Sequence, residues 1–573
     1  MDVQILSKET IKPFTPTPHH LKTFKPSFID QTSVPFYIPL TVFYETQPDP
    51  EDRPTTHNRL KSSLSKTLNR YYPLAGRIKG MFSVECNDKG VSYTEAKTNF
   101  ALSEFLEKPD LNLLNKFLPV EANSLEEGLG FQVAVQVSIF SSGGLVIGAC
   151  FYHMIADIKT MSNFLKSWAG ATPADLLPSP ADSPGTLTVD IPRPHDSAPI
   201  YVEARFLGRW SSVGRDRRDL ATPWLPFRSS SPMVLGRRGW PACRARAVVW
   251  IGLGEAVVCL GFYRPPLAEG LGRLLGARLG VRFQIWLGLC CSFWVCNQDL
   301  DLCGLTSDSD PKNYDAVDLE LGATLFPPLP SFPADYLSNK ARHFFSDGRD
   351  HHITRRFVLT PTAIAALREK AASAAVPRPS RVEALTGFIS GRIVAGLGKP
   401  AVVSHAVNIR RRFEPPLPEA AFGNFTWFAA VVCGPPEEGE GPRIPDHVAA
   451  MREALDAVHG EDLRAVGPES AARVLNENLG LVVKAGIRVY KFSSWCNNGF
   501  YDLDFGWGRP MWVAHMGDAG RARTKYQLMF LEGRNCGEIE LWVLLGEDEI
   551  GILDNDEEFL EFATPNPSIL VKK

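Results

Sequence analysis

The 573-residue sequence has almost no excess of one charge, since 61 basic residues face 64 acidic ones. A net charge of −3 argues against a protein that binds nucleic acid or an anionic membrane over its whole surface. Its eleven cysteines form no Cys-x-x-Cys pair and no Cys/His spacing suited to a metal. The adjacent His351 and His352 also lack ligand partners at metal spacing, and we expect them at the surface. We therefore predict reduced thiols and no metal.

Long apolar runs are also lacking. The two least polar windows, 247–262 and 279–296, are interrupted by Glu255 and by Arg282 and Gln284. Both are shorter than the roughly 20 apolar residues that cross a bilayer. The N-terminus has neither the apolar core nor the cleavage site of a signal peptide. These absences predict a cytoplasmic protein without a membrane span, and a hydrophobic content of 44% predicts a folded one.

Lysine is missing from one long internal segment. Residues 171–311 contain no lysine and fifteen arginines, whereas residues 1–170 contain thirteen lysines and four arginines. The same segment holds six of the twelve tryptophans, without the periodicity of a helix or a strand. We interpret 171–315 as a poorly structured insertion, and translation of sequence that is normally non-coding is one origin for it. The alternative is an accessory module whose positive charge recruits nucleic acid or a membrane.

The flanking regions carry regular hydrophobic patterns. Helical periodicity predicts helices over 57–72, 360–375 and 381–397. Alternating or continuous apolar runs predict strands over 131–140, 145–152, 525–532 and 538–545. Because helices and strands mix irregularly, the sequence predicts an α/β layered architecture.

One histidine follows a buried strand directly. His153 ends the apolar run 145–152, and Asp157 stands where a helix over 158–168 begins. A neutral imidazole held at a strand end can take a proton from a hydroxyl group. Asp157 could cap the helix or pair with an arginine. A histidine followed four residues later by an aspartate is nevertheless common by chance.

A second motif, Asp504-Phe-Gly-Trp-Gly508, lies in a loop near the C-terminus. Its glycines permit tight turns, and Phe505 and Trp507 can anchor the loop in a core. The pattern alone is equally typical of a rigid connecting loop that contacts no substrate.

Together the two motifs resemble the plant BAHD acyltransferase family, which uses CoA thioesters as acyl donors. Further stretches are similar to that family: LKSSLSKTLNRYYPLAGR at 60–77, GATLFPP at 322–328, SRVEALTGFI at 380–389 and VNIRRRFEPPLPEAAFGNFTW at 407–427. The resemblance covers 1–170 and about 316–573 in the family's order. The segment between them has no counterpart there.

The resemblance implies two CAT-like α/β domains with a central channel at their interface. We expect an N-terminal domain over 1–345, interrupted by the insertion at 171–315, and a C-terminal domain over 346–573. Acyl-CoA would be a co-substrate, with no permanently bound cofactor. The protein would be a monomer that acts on a small-molecule alcohol or amine and binds neither nucleic acid nor membrane.

The resemblance also assigns roles to residues. His153 would be the general base in direct transfer of the acyl group, without a covalent acyl-enzyme. Asp157 would pair with Arg410 in a structural role. The supporting loop would depend on three residues, namely Asp504, Gly506 and Trp507. Two asparagines, Asn408 and Asn424, would shape the channel.

The motifs do not identify the acyl donor or the acceptor. The N-terminal segment looks most like the alkaloid- and volatile-ester-forming branch of the family, which favours acetyl-CoA as the donor and a plant specialised metabolite as the acceptor. A hydroxycinnamoyl donor remains an alternative. The competing hypothesis is a catalytically inactive relative, or an aberrant gene product whose insertion disrupts the fold.

Overall fold

A computed structural model describes residues 2–45, 53–80, 83–120, 130–171, 247–252, 255–260, 317–346, 351–436, 443–515, 517 and 524–570. The chain divides into two compact units, one formed by Met1–Pro178 with Asp301–Lys573 and the other by Ser179–Leu300. All residues with predicted functional roles belong to the first unit.

The strands within the described residues are β1 (Val3–Ile11), β2 (Thr23–Phe24), β3 (Tyr37–Tyr44), β4 (Arg77–Lys79), β5 (Ser83–Glu85), β6 (Val91–Thr98), β7 (Val133–Ile139), β8 (Leu145–Tyr152), β9 (Ala247–Gly252), β10 (Glu255–Leu260), β11 (His352–Leu359), β12 (Ala401–Asn408), β13 (Thr426–Cys433), β14 (Val489–Ser494), β15 (Trp512–Ala514), β16 (Gln527–Glu532), β17 (Ile539–Gly546) and β18 (Ala563–Pro565).

The helices within the same residues are α1 (Phe28–Thr32), α2 (Arg53–Arg70), α3 (Leu102–Glu107), α4 (Leu111–Leu114), α5 (Ile158–Gly170), α6 (Leu321–Leu325), α7 (Tyr336–Phe344), α8 (Pro361–Ala371), α9 (Arg381–Leu397), α10 (Ile444–Asp456), α11 (Gly460–Val466), α12 (Pro468–Ala485), α13 (Glu547–Asn555) and α14 (Glu557–Phe562). Together with the strands they confirm the predicted α/β class.

Two large mixed sheets organise the first unit. The first has six strands in the order β1-β6-β7-β8-β3-β15, and the second has seven in the order β13-β12-β14-β16-β17-β11-β18. Strand β15 comes late in the chain, yet it pairs antiparallel with β3 through Trp512 and Phe43. The second half of the chain thus supplies one of the two edge strands of the first sheet.

The central strands of each sheet are buried because they carry apolar side chains. In β16, Leu528 and Phe530 point into one hydrophobic core, whereas Met529 and Leu531 point into the other. Alternate residues of a strand face opposite sides of the sheet. The second sheet therefore separates the two cores.

Most predicted elements form close to their expected bounds. The strand at 145–152 and the helix at 381–397 match to the residue. The helix expected over 360–375 ends earlier, at Ala371, because Ala372 has an extended backbone. His352 was wrongly expected at the surface, since it is buried in β11 beside the ring of Tyr526, whereas His351 is exposed.

The predicted insertion lies almost entirely outside the described residues. Its described part is a hairpin in which β9 pairs antiparallel with β10. The expectation that no strand forms there was therefore wrong, because alternation over such short apolar runs does not distinguish a strand from other structures.

Candidate active site

Strand β8 carries His153 to the junction of the two sheets. The strand is central in the first sheet, between β7 and β3, and its side chains are buried up to the last residue. The backbone N–H of His153 donates to the carbonyl of Phe36 over 2.9 Å. The ring of Phe36 meets the imidazole edge-on, with 5.6 Å between centroids. The backbone and the ring of His153 are thus both fixed by the segment that leads into β3.

The second sheet contributes Asn424, which lies two residues before β13. Its Oδ1 is 3.1 Å from Nδ1 of His153. Its Nδ2 donates to the carbonyl of His153 over 2.9 Å and to Oδ1 of Asp30 over 2.8 Å. These two acceptors fix the orientation of the amide, so that its oxygen faces the imidazole.

This orientation determines the tautomer of His153. An amide oxygen can only accept a hydrogen bond, so Nδ1 carries the hydrogen and Nε2 keeps a lone pair. Burial lowers the pKa of His153 below 6.5, and the positive charge of Lys340 acts in the same direction, although Asp157 opposes them. The imidazole is therefore neutral at pH 7, with Nε2 able to accept a proton.

Asp30 lies behind Asn424 and was not predicted from the sequence. Its carboxylate accepts from the backbone and hydroxyl groups of Ser27 and from the backbone and amide groups of Asn424. Burial raises the pKa of Asp30 to about 6, although these four bonds oppose the rise. The available signal was Ser27-x-x-Asp30, which forms the capping box of α1.

Gly423 makes room for this arrangement. Its φ is +108°, and a Cβ there would lie 3.2 Å from both carboxylate oxygens of Asp30. The Phe-Gly-Asn motif thus brings the backbone close to a carboxylate and places the next side chain, Asn424, against His153.

Asp157 holds the other side of the site. It is the N-cap of α5 and accepts from the backbone N–H of Thr160 over 2.9 Å. Its carboxylate pairs with Nη1 and Nη2 of Arg410 at 2.7 and 3.2 Å, and it also accepts from the N–H of Phe425. Burial tends to raise the pKa of Asp157, but Arg410 and the N–H donors bring it below its ordinary value.

The predicted Asp157–Arg410 contact is therefore present, and it joins the two sheets. Both side chains are fully buried. Nη2 of Arg410 also donates to the carbonyls of Ala421 and Gly423 over 2.9 and 3.2 Å. The guanidinium thereby fixes the loop that presents Asn424.

Asn408 has a more distant position. Its Oδ1 accepts from the backbone N–H of Arg410 over 3.1 Å and caps a short 3-10 helix. It also lines a cavity of about 360 Å³ whose wall includes Glu383 and His405. The structure thus brings Asn424, but not Asn408, into contact with His153.

The Asp504-Phe-Gly-Trp-Gly508 loop is built around one carboxylate oxygen. Oδ1 of Asp504 accepts from the N–H groups of Gly506 and Gly508 over 2.7 and 2.9 Å. Both glycines have a φ near +100°, namely +99° and +98°. Such backbone is strained for any residue with a Cβ. The loop makes no hydrogen bond to His153 in the described part of the chain.

Aromatic packing connects this loop to the site. Phe505 is buried with its centroid 4.9 Å from that of Trp168, near the C-terminal end of α5. Trp507 packs on Phe505 and meets Tyr44 at 5.8 Å. Asp157 therefore fixes one end of α5 and Phe505 packs against the other.

The described residues form neither a membrane span nor a metal site. No helix among them is long and apolar enough to cross a membrane. Within the same ranges, no three His, Cys, Asp or Glu side chains lie together in a way that could hold a metal ion.

Comparison with known proteins places the chain in a family. The sequence profile of the Transferase family matches residues 1–194 and 322–560. The chain is 33% identical to "Akuammiline synthase 2" of Alstonia scholaris, over 99% of this chain and 98% of that protein. It is 26% identical to "Stemmadenine O-acetyltransferase" of Catharanthus roseus, over 97% and 96% of the two chains.

Solved structures agree on the fold. The crystal structure of vinorine synthase is similar with a TM-score of 0.61 and 22% identity, over 99% of this chain and all of that one. TRI101 of F. sporotrichioides, complexed with coenzyme A and T-2, gives a TM-score of 0.57 and 14% identity, over 95% and 99% of the two chains. The chain therefore belongs to the Transferase family of the BAHD type and is an acyl-CoA-dependent acyltransferase.

Proposed function

We propose that this protein transfers an acyl group, most simply acetyl, from a CoA thioester to a hydroxyl or amine of a plant specialised metabolite. His153 acts as the general base. The observation that supports this most directly is the contact between Nδ1 of His153 and Oδ1 of Asn424 at 3.1 Å, which leaves Nε2 with a lone pair. Relatives named as O-acetyltransferases of plant metabolites support the acetyl donor.

The proposed step is direct transfer. Nε2 takes the proton of the acceptor as the acceptor oxygen or nitrogen attacks the thioester carbonyl carbon. When the tetrahedral intermediate collapses, the carbon–sulfur bond breaks and the CoA sulfur takes the proton back from Nε2. Proton transfer by a positioned general base accelerates such a reaction by a factor of about 10²–10⁴.

A covalent acyl-enzyme is not part of this proposal. Among the described residues, no Ser, Thr or Cys side chain hydrogen-bonds to His153. Cys150, the nearest cysteine in sequence, is buried in β8, and burial raises the pKa of its thiol far above the usual range. A thiol that stays protonated is a poor nucleophile.

The remaining residues support the base. Asp157 and Arg410 hold the loop that carries Asn424, whereas Asp504, Gly506 and Trp507 hold the far end of α5. We propose that these five residues position the base without touching the reacting atoms. We also propose that the N-terminal domain ends at 345, that the C-terminal domain begins at 346, and that a central channel lies at their interface.

The test measures acetyl-CoA turnover with a panel of alcohols and amines. The readout is the release of the CoA thiol. We expect His153→Ala to lower kcat by about 10²–10⁴, because no other base replaces Nε2. The matched control is His351→Ala, at an exposed histidine, which should leave kcat unchanged. Intact-mass spectrometry without acceptor should show no acetylated protein. A His153→Ala variant that keeps kcat within a few-fold of the wild type would contradict the proposed role.

A further inference from the structure

Three basic side chains, those of His343, Lys491 and Lys525, lie together outside the proposed catalytic machinery, and a fourth, Lys340, lies one helical turn from His343. Lys340 and His343 are three residues apart on α7 and are therefore neighbours on the surface of that helix. Lys491 lies in β14, and Lys525 lies two residues before β16. We refer to Lys340, His343, Lys491 and Lys525 as the basic cluster.

Contacts at the end of α7 bring the cluster together. Nζ of Lys491 donates to the carbonyl of Lys525 over 3.0 Å and lies 5.3 Å from the ring centroid of Phe344. The backbone N–H of Lys525 donates to the carbonyl of Phe344 over 3.1 Å. The imidazole of His343 packs against the same phenyl ring, with 4.7 Å between centroids. One aromatic ring thus lies beside two of the basic groups.

No described acidic residue compensates the charge of the cluster. Within the described ranges, none of its four members forms a salt bridge, and the side chains of Lys340 and Lys491 donate to the carbonyls of Ser33 and Lys525. Burial, together with the neighbouring charges of Lys491 and Lys525, lowers the pKa of His343 to about 3. Burial and Lys525 lower the pKa of Lys491 to about 7. These bases thus lose charge when they are buried without a partner, because a cation removed from water is stable only beside an anion.

The cluster borders both His153 and an open sheet face. Nζ of Lys340 binds the carbonyl of Ser33, three residues before Phe36, which holds His153. Lys491 points to the side of the second sheet opposite Tyr490 and Phe492, which are buried in the core. Its register partner in β12 is Ser404, which is only half-buried. Ala430 of β13, the register partner of Ser404 on the same face, is exposed, so this face of the sheet is open to a ligand two strands from Lys491.

We propose that the basic cluster binds an oxyanion group, a carboxylate or a phosphate, carried by one of the two substrates while the reacting atoms reach His153. This inference rests on the proposed function and deepens it. The two sources of the anion are a carboxylate on the acyl acceptor and a phosphate of CoA. In either case the anion supplies the negative charge that the described residues lack.

The test measures binding by calorimetry to the full-length protein. The probes are CoA, 4-(hydroxymethyl)benzoate and the uncharged methyl ester of that benzoate. We expect Lys491→Met to weaken binding of CoA or of the benzoate at least about tenfold and to leave the ester unaffected. The control Lys8→Met removes an exposed lysine of β1 and should change none of the three. A loss for CoA assigns the site to a phosphate, and a loss for the benzoate assigns it to an acceptor carboxylate.

A second readout separates binding from folding. A bound anion favours the charged form of Lys491, so binding near pH 7.5 should take up protons. The binding enthalpy should therefore differ between HEPES and Tris buffers for the wild type but not for Lys491→Met. Because Lys491 has no acidic partner among the described residues, the substitution should not lower Tm.

Unchanged affinity for both charged probes in Lys491→Met would overturn the basic cluster as an anion site. If acetyl-CoA turnover persisted in that case, the proposed function would stand and only this inference would fail. Absence of CoA binding and turnover in the wild type would instead count against the proposed function.

Discussion

The hydrogen-bond chain from Asp30 through Asn424 to His153 joins a buried carboxylate to the proposed base. Each carboxylate oxygen of Asp30 accepts two bonds, one oxygen from Ser27 and the other from Asn424. An amide at position 30 could keep only one of these pairs, because its NH₂ group would face donors. The orientation of Asn424 therefore depends on an ionised carboxyl group.

Asp30→Asn should consequently weaken the positioning of His153. We expect kcat to fall about 10- to 100-fold, equivalent to losing a hydrogen bond to a charged group, with a smaller change in KM. Steady-state kinetics with acetyl-CoA measure both. Asp110→Asn is the control, since Asp110 caps α4 at the surface and asparagine caps equally well. An unchanged kcat in Asp30→Asn would show that Asn424 keeps its orientation without the carboxylate.

The lowered pKa of His153 predicts the acid limb of the pH profile. The base must be neutral, so kcat/KM should fall as pH drops through the folded pKa, which lies below 6.5. Removing the nearby charge with Lys340→Met should raise that pKa and shift the limb to higher pH. Profiles of kcat/KM from about pH 5 to 8 measure the shift. Lys8→Met should leave the profile unchanged, and a limb that moved to lower pH in Lys340→Met would contradict the assignment.

At the scale of elements, α5 is held at both ends by different means. A buried ion pair fixes its first turn through Asp157 and Arg410, and aromatic packing of Phe505 on Trp168 fixes its last. A helix held in this way keeps the turn that carries His153 at a constant distance from the second sheet.

The substitution Asp157→Asn separates the contribution of the ion pair from that of the helix cap. Asparagine is as good an N-cap as aspartate, so the loss should come from leaving Arg410 buried without its partner. We expect a decrease of about 3–5 kcal/mol in the free energy of unfolding, measured by denaturant titration. The exposed pair Arg443–Asp446 provides the control, because Asp446→Asn should cost less than about 1 kcal/mol. Equal effects of the two substitutions would contradict a structural role of the buried pair.

Local patterns predicted the elements better than the contacts between them. The strand 145–152 and the helix 381–397 could be predicted because their apolar runs and caps are continuous in sequence. His153 and Asn424 are 271 positions apart, and Asp30 and Asn424 are 394 apart. No local sequence pattern predicts a contact between residues so far apart in the chain. The motif resemblance indicated Asp157 and Arg410, but it did not indicate Asp30 or the basic cluster.

At the scale of the whole molecule, the internal segment and the rest of the chain are separate compact units. The Transferase profile leaves 195–321 unmatched, a range that largely overlaps the predicted insertion. Every contact described for His153, Asp157 and Asn424 lies within the first unit.

Deleting 179–300 should accordingly leave the first unit folded. We expect Tm to change by no more than about 1–2 °C, because about 1 kcal/mol shifts the Tm of a protein of this size by only about 1 °C. Acetyl-CoA turnover should stay within a few-fold of that of the full chain. Calorimetry and thiol release measure both, and limited proteolysis of the full chain should leave the first unit intact. If the deletion lowered Tm strongly and abolished turnover, the segment would be required for the fold. Turnover in neither form would favour the inactive alternative.

The pairing of β15 with β3 also constrains how the chain is made. Residues 37–44 leave the ribosome early, but their sheet gains its last strand only when Trp512–Ala514 have emerged. During translation of the intervening chain, including the internal segment, the edge of β3 has no strand to pair with, and such edges invite aggregation. Proteolytic cleavage or a stop codon shortly before Trp512 would thus damage the part of the protein that was synthesised first.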